Sequence, residues 1–316
     1  MRIVSLLPSA TETLFALGLD REVVGVSHEC DYPAAAHGKR VVIQSRIPKE
    51  ASPFEIDRLV REYVAKGESL YSVDAQALEE LQPDLIITQE LCHVCAASPD
   101  DLAAALTRFA KRPEVLSLNP QDIGDVWRDI LLVGDETARG PAAEALVKKI
   151  AERLGALEKQ VRGIPESDRP RVAFLEWLQP FYVGGHWVPE MVELAGGTDV
   201  FGKARTPSFR VTPEEIAEAA PEILLVACCG YNAAQCAAEF ARLSLPESWT
   251  AIPAVRRNRV YVCEANSYFS RPGPRLITGV EALAKVLHPE IRVSPEAESS
   301  GAIVPMGMSA TRAAQA

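Results

Sequence analysis

At 316 residues the chain has room for two ordinary domains, and an apolar content of 47% is that of globular material. A formal net charge of −10, spread without a basic block, excludes the clustered Lys and Arg that phosphate backbones demand, so no nucleic-acid partner is expected. No stretch approaches the roughly 18–20 uninterrupted apolar residues of a membrane span, so no membrane insertion is expected either.

In chain order, Arg2–Leu6 reads as a first strand. Met1-Arg2 leads straight into it, with no separate apolar segment or small-residue cleavage site; a cytoplasmic location is expected unless an upstream segment has been removed. Ser9 and Glu12 stand at capping-box spacing, so a helix is expected to start there and to stop at Gly18. Val23–Ser27 reads as a strand, Ala77–Leu81 as a short helix, Gln82-Pro83-Asp84 as a turn and Leu85–Thr88 as a buried strand. A helix over Ala103–Ala110 precedes a strand at Val115–Leu118. Residues 122–162 are helical in character, with breaks expected at Gly134 and at Gly140-Pro141. The second piece, about 142–162, carries Ala145, Leu146, Ile150, Leu154, Leu157 and Val161 near helical spacing, and its length of roughly 30 Å would match the width of a lobe.

The second half repeats the scheme. Arg171–Leu175 is a strand and Trp187–Leu194 a helix ending at Gly196-Gly197. Pro213–Ala219 is a helix, Ala220-Pro221-Glu222 a turn, Ile223–Ala227 a strand, and Val260–Cys263 closes the series. LEELQPDLIIT at 78–88 and IAEAAPEILLVA at 216–227 are the clearest internal echo. The expected fold is therefore α/β: two Rossmann-like lobes with mainly parallel sheets, joined by a single long helix, with a ligand cleft between the lobes. The expected divisions are 1–120 for the N-terminal lobe, 121–165 for the connecting segment and 166–292 for the C-terminal lobe. The Ser-, Ala-, Glu- and Gly-rich tail 293–316 is expected to be disordered.

Two such lobes bridged by one helix resemble the class III periplasmic substrate-binding proteins, which carry cobalamin, haem or ferric siderophores. IVSLLPSATETLFALG at 3–18 looks like the opening strand and helix of that family, and GVSHECDYP at 25–33 like its second strand and following loop. LQPDLII at 81–87, GGHWVPEMVELAGGTDVFG at 184–202 and SRPGPRL at 270–276 are similar to further family segments. The resemblance covers about 1–290 and fits the cobalamin-binding branch best. It implies a binding protein rather than an enzyme, related to ABC transporters, with cobalamin or another corrinoid as ligand.

Ligands of parallel α/β sheets sit beyond the carboxyl ends of the strands. Those ends are rich in rings here, and flat side chains clamp a broad, mostly apolar corrin plate at little entropic cost. The ligand-binding set is Tyr32, Glu90, His93, Trp177, Phe209, Tyr231, Tyr268, Phe269 and Arg271, against the alternative that half of the aromatics are core. Arg271 enters through the resemblance, at the position of an arginine near the corrin amides in the cobalamin branch; the competing reading is a salt-bridged arginine at a helix start. Cys92-His93-Val94-Cys95 offers two thiolates and an imidazole, a donor set for soft or borderline metals, so Cys92, His93 and Cys95 are the candidate metal ligands. Axial contact to corrinoid cobalt, a thiol redox pair and a thiol-dependent enzyme stay open beside it, as does the reading of all seven cysteines as packed hydrophobes. Family members that feed a permease present one carboxylate per lobe. Glu214 occupies the second-lobe position but Gln76 replaces the first, so permease docking is not expected. Gly-x-Ser-x-Gly, P-loop and G-x-G-x-x-G motifs are absent from the sequence.

Overall fold

The computed structural model describes residues 1–89 and 99–307. They form two compact units: Met1–Pro120 with Gly124–Lys148, and Gln121–Ile123 with Lys149 onward. The stretch 121–165, expected as a separate connecting segment, is divided between the two units.

The first unit contains β1 (Ile3–Ser5), α1 (Pro8–Ala16), β2 (Val23–Ser27), β3 (Arg40–Ser45), α2 (Pro53–Lys66), β4 (Tyr71–Val73), α3 (Ala75–Leu81), β5 (Leu85–Gln89), α4 (Pro99–Leu106), β6 (Glu114–Leu118) and α5 (Ile123–Glu136). Its sheet runs β4-β3-β2-β1-β5-β6, parallel except for the β3–β4 pair. Ile3, Val4, Ile86 and Ile87 are buried, as a central strand covered on both faces requires. From β1 the chain builds outward to β2 and β3, then returns to the other side as β5 and β6, which puts the topological switch point between β1 and β5. The helix expected from Ser9 starts one residue earlier, with Pro8 in its first turn and no side-chain cap; Ser9 and Glu12 are buried instead. The α2 segment, passed over in the sequence, has a complete Ser52/Glu55 capping box and a left-handed Gly67 at its end.

Helix α6 (Gly140–Val161) carries the chain from the first unit into the second, the division falling between Lys148 and Lys149. Gly134 does not break the helical stretch, for α5 runs through it to Glu136, and the reversal comes at Ala138, in a left-handed conformation. A Cβ on Gly134 would stand 2.4 Å from Ala143 Cβ, so this glycine serves the close approach of α5 and α6.

The second unit comprises β7 (Arg171–Leu178), β8 (Phe181–Val183), α7 (Val188–Leu194), β9 (Thr198–Asp199), α8 (Pro213–Ala219), β10 (Ile223–Val226), α9 (Ala233–Ala241), α10 (Pro253–Arg256), β11 (Val260–Cys263), α11 (Ala265–Tyr268), α12 (Leu276–Leu287), α13 (Pro295–Ser299) and β12 (Ile303–Pro305). The sheet order is β12-β11-β10-β7-β8, with β9 also beside β7. Strands β7, β10 and β11 are parallel. Arg153 of α6 is tied within this unit to Glu281, Thr278 and Ser294. Residues 293–307, expected to be disordered, are folded. Ser294 caps α13, Pro295 occupies its first turn, and β12 pairs antiparallel with β11. Met306 is buried in the core beyond β12.

Candidate ligand-binding site

The carboxyl edge of the second sheet is aromatic. Trp177 lies at the end of β7, beyond the last residue of β10 in register, Val226 opposite Leu175. Among the described residues no strand pairs with it on that side, and its indole meets Tyr231 edge-on at 5.7 Å between ring centroids. Tyr182 on β8 lies under the guanidinium of Arg210, 5.3 Å from its ring, and Arg210 Nε donates to the phenol oxygen at 2.8 Å. Tyr268, which ends α11, carries Arg275 over its ring at 5.5 Å. Phe209, whose carbonyl accepts from Val183 N–H, is 39% exposed. Trp177, Tyr182, Tyr231 and Tyr268 are half-buried, so each presents ring surface to solvent while being held from behind.

The Tyr231 loop is tightly specified. Gly230, at φ +85°, makes the turn; its N–H donates to Asn266 Oδ1 at 2.9 Å. Cys229 N–H donates to the Glu176 carbonyl and Tyr231 N–H to the Cys228 carbonyl. Asn232 and Gln235 form a capping box for α9, whose Ala233 N–H donates to Glu264 Oε1 at 3.0 Å. Burial pushes the Tyr231 phenol up to about 12, so the ring is neutral across the physiological range. On the other side of Trp177, Glu176 Oε2 accepts from Gly185 N–H.

The carboxyl edge of the first sheet is different in kind. Ser5, Ser9, Thr11, Glu12, Ser27, Thr88 and Gln89 are all buried there. Thr11 Oγ1 is 2.8 Å from Ser5 Oγ and 3.1 Å from Cys30 Sγ, while Ser5 Oγ donates to the Leu7 carbonyl and Ser27 Oγ stands 3.4 Å from the same sulfur. Tyr32, in the loop after β2, is 46% exposed. This polar knot was missed in the sequence because short hydroxyl side chains carry no periodicity. The burial of Ser9 and Glu12, set beside a helix that starts at Pro8, is the signal that locates it.

One of the expected site residues, Phe269, belongs to the core. Phe269 is 1% exposed and packs against Phe174 at 5.5 Å, and its carbonyl accepts from Trp187 Nε1. It is a core residue, one position along from a rim residue, Tyr268. Arg271 is half-buried and Glu214 exposed in the first turn of α8. Gln76 is exposed and donates to Glu80. Among the described cysteines, Cys30, Cys228, Cys236 and Cys263 are buried thiols and Cys229 is half-buried. Glu90, Cys92, His93 and Cys95 lie outside the described residues. Among the described residues no group of three or more His, Cys, Asp or Glu side chains is arranged to hold a metal ion.

Two carboxyls away from the rims are displaced by desolvation. Burial pushes Asp129 on α5 up to about 7, against a small opposing effect of Arg128. Burial likewise pushes Asp199 up to about 6, although its Oδ1 accepts from the N–H groups of Phe201 and Gly202. Asp199 Oδ2 is buried with no hydrogen-bond partner among the described residues.

Two α/β units, each with a mainly parallel sheet, are the two-lobe architecture of periplasmic-type binding proteins. The family described as "Periplasmic binding protein" matches residues 3–267, and the chain belongs to it. The chain is 27% identical over 299 residues to the uncharacterized ABC transporter substrate-binding lipoprotein YvrC of Bacillus subtilis, over 92% of this chain and 80% of that protein. It is 22% identical over 290 residues to a vitamin B12-binding protein of Vibrio cholerae, over 90% of this chain and 88% of the relative. A periplasmic heme-binding protein from Pseudomonas aeruginosa shares the fold with a TM-score of 0.69 at 20% identity, over 92% of this chain and 94% of that one.

Proposed function

We propose that the protein binds cobalamin or a related corrinoid, and that the aromatic carboxyl edge of the second unit is the surface that contacts it. The observation that carries this reading is the Trp177–Tyr231 pair, set at the ends of adjacent parallel strands and flanked by the tyrosine–arginine stacks at Tyr182 and Tyr268. A corrin is a wide, largely apolar plate with a fringe of amides. Rings held edge to face give such a plate area with few rotamers to freeze, and guanidinium groups lying on tyrosines place planar donors beside it for amide carbonyls. The similarity to a vitamin B12-binding protein supports the same ligand class.

Calorimetric titration with cobalamin, cobinamide and haem tests the proposal. One corrinoid per chain is expected, with the red colour retained through gel filtration. Trp177→Ala is expected to weaken that binding by about 1–3 kcal/mol, the range of an interface aromatic anchor, with the unfolding midpoint nearly unchanged. Binding of haem with no heat from either corrinoid would overturn the reading.

A further inference from the structure

The second unit holds a cavity that shares no residue with its aromatic edge. It measures about 320 Å³ and lies between the second half of α6, the helix α12 and the segment that leads into α13. One wall is apolar, formed by Ala156, Leu157 and Val293. The other is polar and held in place. Gln160 grips the backbone of Arg292 from both sides: its Oε1 accepts from Arg292 N–H at 3.0 Å and its Nε2 donates to the Arg292 carbonyl at 2.9 Å. Arg153 donates through Nε and Nη2 to Glu281, and through Nη2 to Thr278 and Ser294. Ser294 Oγ donates in turn to Glu281 Oε2.

Two sets of donors are left over. Arg153 Nη1 makes no hydrogen bond among the described residues, although the side chain is only 19% exposed. The Arg292 guanidinium makes neither a hydrogen bond nor an ion pair among them. A guanidinium largely withdrawn from water and left with one unused nitrogen gains most from an anion, which it can meet in a planar, two-pronged way. Charge sets how large an anion. Glu281 is matched by Arg153, so Arg292 leaves the lining with one positive charge in excess, while Lys149 and Glu296 stand nearby with opposite signs. Volume sets the rest. At about 30 Å³ per molecule of liquid water, the space equals that of roughly ten waters, far too little for a corrin.

We propose that this cavity is a second binding site, and that its ligand is a small organic monocarboxylate. The carboxylate lies between Arg153 Nη1 and the Arg292 guanidinium, and its apolar body covers Leu157, Ala156 and Val293. A single negative charge answers the single positive excess, whereas a phosphate dianion would also face Glu281 and Glu296. A neutral amide of the same shape leaves the guanidinium donors without a charged partner. Because α6, α12 and the α13 segment each supply part of the wall, an occupied site ties the three together, and binding stabilises the folded chain by mass action.

The full chain is titrated with benzoate, butyrate, benzamide and inorganic phosphate, with binding followed by ligand-observed NMR and by the thermal unfolding midpoint. Benzoate and butyrate are expected to saturate at one per chain and to raise the midpoint. Benzamide and phosphate are expected to bind about tenfold more weakly or worse, the loss of one charge-assisted contact. Arg292→Ala should weaken benzoate by about the same factor, and because Arg292 is exposed its removal leaves the fold intact. Ala156→Leu, which occupies the space without changing any charge, should exclude benzoate altogether. Trp177→Ala should leave benzoate binding as it is, so this site and the corrinoid surface stand or fall separately. The proposal is overturned by benzamide or phosphate binding as tightly as benzoate, by an affinity for benzoate unchanged in either cavity variant, or by the absence of saturable carboxylate binding.

Discussion

The two carboxyl edges are built on the same plan, parallel strands ending at a switch in strand order, yet they are finished in opposite ways. In the first unit the edge is filled with hydroxyls and one thiol that bond to one another and are closed off from water. In the second unit the edge is left to half-exposed rings braced by arginines and by a pinned loop. A buried polar network gives local order, because each member left without its partner bears the full desolvation cost. Exposed rings cost little to leave in water and gain much when covered. The first edge is therefore expected to act on stability and the second on binding.

Four substitutions break or sharpen this contrast, beginning with the largest effect. Phe269→Ala, beneath the second rim, is expected to lower stability by about 3–5 kcal/mol in denaturant unfolding, the range for a truncated core aromatic. A loss under 1 kcal/mol would return Phe269 to the rim. Thr11→Val, in the first knot, should cost about 1–3 kcal/mol by the same measurement, since it strips the hydroxyl that stands between Ser5 Oγ and Cys30 Sγ. Gly134→Ala is expected to cost about 1–3 kcal/mol through the clash with Ala143, and a neutral result would show that α5 and α6 separate freely.

The fourth test is a pH dependence at Asp129. Its carboxyl is raised by burial, so the folded protein holds a proton that the unfolded chain releases. Its contribution is complete below the ordinary carboxylate range and fades as the pH climbs to about 7. Asp129→Asn should flatten that decline in urea midpoints measured between pH 4 and pH 8, whereas an unaltered slope would mean that Asp129 is solvated. Asp199 offers the matching control in the second unit, with its own decline ending near pH 6.

Much of the fold was legible from periodicity and punctuation. The runs at Leu85–Ile87 and Ile223–Val226 announce buried parallel strands, and Gly196, at φ +86°, ends its helix where expected. Less legible was which of two adjacent rings faces inward. Tyr268 ends the short helix after β11 and Phe269 follows it, and Phe269 is held inward by Phe174 and Trp187, far away in sequence. Trp177 could be placed because it outlasts its neighbouring strand. The tail was misjudged on composition, which weighed its Ser and Glu as solubilising when Ser294 is a cap and Glu298 a residue of a short helix. The thiols at strand ends were visible, but only packing distinguishes a lining sulfur from a buried one.

The place of β12 sets the timetable of biosynthesis. This strand, almost the last of the described residues, borders β11, and the segment before it supplies Ser294 to the Arg153–Glu281 ion pair. The first unit can acquire its whole sheet while the ribosome is still translating the second. The second cannot finish its own until residues 303–305 have been added, so nascent chains halted near residue 290 should carry one native half and one with an open flank.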